Sequence, residues 1–126
     1  MMQYLDKESV WLLSPRAGED YEILVPGNSS EPTAFLLQFA ERVLPVLPSL
    51  VTRALTHIEE FTPRASPSEG DEWHFEGVDF GYQEALGNGR FRLCFSNAGD
   101  IYAEWSVVFQ ESEFRYFPVR LCRAVI

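Results

Sequence analysis

The chain has 126 residues, 46% hydrophobic and 14% aromatic, with 10 Lys+Arg against 19 Asp+Glu for a formal charge of −9. That balance excludes a disordered tail, a collagen-like repeat and a disulfide-stapled mini-protein, and suits a single domain over residues 1–126 with a core of its own. The acidity speaks against a nucleic-acid-binding surface, because phosphate contacts need Lys and Arg to release counterions.

At the N-terminus Asp6, Lys7 and Glu8 interrupt any apolar run, so a secretory signal is not expected. Val10 to Leu13 and Tyr21 to Val25 are short apolar runs on either side of the turn-rich Ser14-Pro15-Arg16-Ala17-Gly18, and read as a strand pair. Ser30 reads as a helix N-cap, with Glu31 and Pro32 in the first turn. From Thr33 to Phe61 the apolar period is helical: Leu36, Phe39, Ala40 and Val43 form one stripe, and Leu47, Leu50, Val51, Ala54, Leu55, Ile58 and Phe61 another. Pro45 lacks an amide hydrogen and clashes with the preceding turn, which predicts a kink or break between Leu44 and Pro48. With Gln38, Glu41, Arg42 and both prolines in it, the segment Ala34–Val51 reads as too interrupted to span a membrane.

Residues 62–70 are a loop by composition. Beyond it the chain alternates with period two. Trp73 and Phe75 share one parity, whereas Val78, Phe80 and Tyr82 share the other, so a bulge or bend belongs near Gly77. Turns at residues 87–89, 97–100 and 110–113 separate three further runs: Phe91, Leu93 and Phe95; Ile101, Ala103, Trp105, Val107 and Phe109; Phe117, Val119, Leu121 and Val125. The expected fold is α+β: an antiparallel β-meander of about five to six strands, with one kinked or two consecutive helices packed on one face.

Aligning the apolar faces of these runs places Phe95 opposite Ile101 and Phe109 opposite Arg115, since a one-residue slip would turn a core set to solvent. The outer face would then carry a row Arg92–Glu104–Arg120 beside a row Cys94–Tyr102–Cys122. Cysteines two strands apart stand roughly 9–10 Å from each other, too far for a disulfide, so free thiols are expected. Arg92 and Arg120 are the candidate anion-binding pair, since arginine offers a planar fork of donors.

Charge is distributed unevenly. Residues 1–89 hold 5 Lys+Arg against 15 Asp+Glu, a balance of −10, while residues 90–126 hold 5 Arg against 4 Asp+Glu. The candidate partner-binding surface is therefore Glu69, Asp71, Glu72, Trp73, Glu76 and Asp79, an aromatic among acids that would steer a basic protein. His74-x-Glu76-x-x-Asp79 is too sparse for a metal site, and Cys94 or Cys122 with His74 is a poor nucleophile pair because mid-strand cysteines are normally inert. No catalytic, metal or cofactor site is expected.

The sequence reading is thus a soluble, cytoplasmic, non-enzymatic interaction module. It is an immunity- or inhibitor-type protein with a basic protein as partner and no role for nucleic acid or membrane. Its oligomeric state is open. The alternative is a small-ligand-binding domain or minor enzyme using the Arg-lined sheet face or a pocket between helix and sheet.

Overall fold

The computed structural model describes residues 2–13, 19–61, 73–81 and 89–126. Seven strands form one sheet in the order of the sequence: β1 (Met2–Leu5), β2 (Val10–Leu13), β3 (Glu22–Pro26), β4 (Trp73–Asp79), β5 (Arg90–Asn97), β6 (Ala103–Ser112) and β7 (Arg115–Val125). The α+β class is as expected, with two corrections. The sheet has seven strands because the N-terminal Met2–Leu5, for which the sequence reading expects no strand, pairs with Val10–Leu13. It is also not a pure meander: β3 and β4 run parallel, Glu22 facing Gly77 and Leu24 facing Asp79, because a helix carries the chain back across the sheet between them.

That helix comprises α1 (Ala34–Val43) and α2 (Leu47–Phe61), joined by a 3-10 turn over Leu44–Val46 at the predicted kink. It starts later than Ser30. Asn28 Oδ1 accepts the amide hydrogens of Ser30 and Glu31, Gly27 bridges to Pro32, and the N-cap falls on Thr33. Asn28 thus closes a turn that withholds these residues from the helix. The 28 residues from Ala34 to Phe61 are long and apolar enough to cross a membrane by length and composition. In the fold, Leu36, Phe39, Ala40, Val43, Leu47, Leu50, Ala54 and Ile58 are buried in the core shared with the sheet. Phe91 stands at the centre of that core, with ring centroids 5.5 to 5.8 Å from Phe80, Phe109, Phe39 and Tyr116. α1 rests against β3 and α2 against β7, so the helix crosses the sheet diagonally.

The β5–β6 register differs from expectation by four residues. Phe95 faces Trp105, not Ile101, and Arg92 faces Val108. The cause is the connection: Gly99 donates to Asn97 Oδ1, Asp100 to the Asn97 carbonyl and Ala103 to the Asp100 carbonyl. These bonds hold residues 98–102 as a loop and leave Ile101 and Tyr102 exposed. The β6–β7 register shifts too, with Val108 facing Arg120 and then, across a bulge, Phe109 facing Pro118. Pro118 cannot donate to the ladder, and a bulge on this edge strand accommodates it. The bulge reverses the expected parity: Tyr116 is buried, whereas Phe117 and Val119 are 44% and 48% exposed.

Candidate functional site

One face of the sheet is covered by the helix. On the opposite face β3, β4, β5 and β6 line a concavity of about 440 Å³, closed at one side by the C-terminal Ile126. Its construction begins at Gly77. The β4–β5 register shifts between Phe75 and Gly77, where the sequence changes phase, so Glu76 is the extra residue of a bulge. Glu76 accepts a 2.6 Å hydrogen bond from Ser96 Oγ on the open face, and Gly77 pairs with Cys94 beside it. Gly77 also lets β3 approach closely: a Cβ there would stand 2.5 Å from the Glu22 carbonyl oxygen.

Four carboxylates line this concavity, Glu22 from β3, Glu76 and Asp79 from β4, and Glu104 from β6. Arg92 is the one basic side chain among its described lining residues, and its Nε donates to Asp79 Oδ2 at 3.0 Å. Burial works against the Arg92 charge, but the Cys94 sulfur and the carboxylates of Asp79 and Glu104, the first of which accepts its hydrogen bond, outweigh it and hold its pKa above the ordinary value. Cys94 shows the opposite response. Burial pushes its thiol up to about 12, Glu104 and Asp79 add to the rise, and Arg92 only partly offsets it. A thiol in that state is not a nucleophile at neutral pH. Cys94 and Cys122 are both free, and Ser106 separates them in the row.

The structure redistributes the predicted site residues. Glu69, Asp71 and Glu72 lie outside the described residues. Trp73 is not an exposed anchor: it is half-buried on the helix side, edge-on to Trp105 at 5.6 Å, with its Nε1 enclosed and without a hydrogen-bond partner among the described residues. Asp79 is 13% exposed, held by Arg92 and by the Gly81 amide. Glu76 remains open at 48%. The Arg92–Glu104–Arg120 row is absent, since Val108 stands between the two arginines. With Arg92 committed to Asp79 among further carboxylates, the expected anion-binding pair is replaced by a negative cavity. His74 Nε2 lies 3.6 Å from Asp20 and 3.8 Å from Glu76, and no group of three metal-ligating side chains converges among the described residues.

Of the other two lining carboxylates, Glu104 reads in the sequence only as a partner for arginine. The phase change at Gly77 was the signal that could have located Glu76 and its neighbours on one face. No protein-family model, curated protein or solved structure matches the chain.

Proposed function

We propose that the protein is a soluble, cytoplasmic, non-enzymatic interaction module of the immunity or inhibitor type, which receives a basic partner protein on the acidic concavity of its open sheet face. One observation carries the reading: carboxylates from β3, β4 and β6 line a single cavity whose only described arginine is already paired. Such a surface lowers the free energy of a lysine or arginine side chain entering it and steers a positively charged protein towards it. The protonated state of the Cys94 thiol favours a binding role over nucleophilic chemistry. The burial of the helix's apolar stripe favours a core helix over a membrane span.

The decisive measurement is capture from the native source with the wild-type protein and with a Glu22→Lys/Glu104→Lys variant, checked for folding by circular dichroism. A basic protein should be retained by the wild type, released by salt and absent from the variant. Equal capture by both proteins would remove the concavity from the interface. The alternative reading is a small-ligand-binding domain or minor enzyme using an Arg-lined sheet face or a pocket between helix and sheet, and the commitment of Arg92 to Asp79 weakens its sheet-face form.

A further inference from the structure

On the other side of the sheet, a second and larger cavity of about 710 Å³ opens between the helix kink and the strands. Its origin is the diagonal course of the helix. α1 lies on β3 and α2 on β7, so the helix moves away from the β3–β4 side at the 3-10 turn. The helical wall is Leu44, Pro45, Leu47, Pro48 and Val51, and the sheet wall is Tyr21, Ile23 and Phe75. Tyr21 and Phe75 stand against each other with ring centroids 5.1 Å apart, and Phe75 continues to Phe95 at 5.5 Å. The volume falls within the ordinary range of small-molecule sites, and the lining is apolar and aromatic.

The polar groups at this cavity are of one sign. Glu41 enters it from α1 and Glu19 from the chain leading into β3, and its described lining holds no Lys, Arg or His. Both residues are exposed, and neither carboxylate has an ion-pair or hydrogen-bond partner among the described residues. The kink therefore provides, at one place, an apolar recess and two carboxylates.

We infer that this groove binds a small organic cation, an aryl- or alkylammonium ion whose apolar body fills the recess between Val51 and Phe75 and whose ammonium is held by Glu41 and Glu19. An ammonium supplies the donors that the two carboxylates lack, while the aromatic wall accepts both the apolar body and the adjacent positive charge. The site is independent of the sheet-face reading above, because the two cavities lie on opposite faces of the sheet.

The test is a backbone-amide NMR titration of the full chain at low salt with three probes of similar size: 2-phenylethylammonium, 2-phenylethanol and 3-phenylpropionate. The expected result is shifts centred on Tyr21, Ile23, Val51 and Phe75, with the cation at least about fivefold tighter than the alcohol and the anion weakest. In Glu19→Gln/Glu41→Gln, two exposed positions that leave the core intact, the preference for the cation should fall below about twofold while the alcohol binds as before. Equal binding of cation and alcohol, a preference that survives the double substitution, or no shifts at these residues would each overturn the inference. Shifts centred on Glu22, Glu76 and Glu104 would overturn it too, while leaving the sheet-face reading untouched.

Discussion

Arg92 on β5 and Asp79 on β4 face each other in register and are joined by a 3.0 Å hydrogen bond from Nε to Oδ2, with 31% and 13% of their side chains exposed. The pair neutralises the floor of an otherwise acidic cavity, and Asp79 also accepts the Gly81 amide at 2.7 Å, closing the turn after β4. Arg92→Met leaves a half-buried carboxylate without its cation, which costs about 1–3 kcal/mol. Asp79→Asn in the same background should recover part of that loss. A double-mutant cycle by urea unfolding measures the coupling, and additive losses would show that the two side chains act separately.

Cys94 is held protonated by burial, with its pKa at about 12. In a Cys122→Ser variant at pH 8, the native protein should therefore react with a disulfide reagent about a hundredfold or more slowly than free cysteine, and at the ordinary rate once unfolded. Rapid labelling of Cys94 in the native state would contradict the enclosed position given to it here.

Asp100, in the β5–β6 loop, accepts two hydrogen bonds from Arg123 at 2.8 and 2.9 Å and one from Trp105 Nε1 at 2.9 Å. The Arg123 bonds, with that from Trp105, hold its carboxyl below the usual carboxylate range. A folded pKa below the unfolded one stabilises the fold above the unfolded value, and this contribution disappears as pH falls through the folded value. Asp100→Asn should therefore lower the urea midpoint at pH 7, and the gap to wild type should close as the pH drops well below ~3.9. A gap that stays constant with pH would assign the effect to the loop's geometry alone.

The β6–β7 turn places Glu113 at φ 52° and Phe114 at φ 62°, left-handed conformations that match a two-residue hairpin turn and disfavour both residue types. Phe114 is also 79% exposed. Glu113→Asn/Phe114→Gly should relieve about 1–2 kcal/mol of this strain and raise the melting temperature. An unchanged or lower melting temperature would mean that Phe114 makes contacts that outweigh its backbone cost.

The hydrophobic period suffices for the helix and the phase change at Gly77, and the stereochemistry of Pro45 for the kink, because each depends on neighbours within a turn or two. Period two in β5 and β6 fixes which residues face the core but leaves the register open by any even number of residues. The choice is made by the Asn97 side chain and the Asn97 and Asp100 carbonyls, turn-closing acceptors that a simple alternation pattern does not weight. The cysteine row shows the same effect. Shifting β6 by four residues along both neighbours leaves Cys94 and Cys122 flanking one position, with Ser106 replacing Tyr102. The acidic cavity was less legible still, because Glu22 joins Glu76 and Asp79 through a parallel pairing across a 28-residue helix. No local pattern announces that pairing.

The parallel seam between β3 and β4 has a dynamic consequence. It consists of three register pairs, Glu22 with Gly77, Ile23 with Val78 and Leu24 with Asp79, whereas β6 and β7 share ten. Among the described residues the seam is the one ladder that joins β1–β3 to the rest of the sheet, and its strands are joined in sequence through the long helical crossover. Native-state hydrogen exchange should accordingly divide the sheet at this line, with β1–β3 amides opening at lower free energy than those of β5 and β6. Such an opening would separate Glu22 from Glu76 and Ile23 from Phe75, dismantling both cavities at once. A ligand bound in either cavity should then slow exchange in β1–β3, including at residues it never touches.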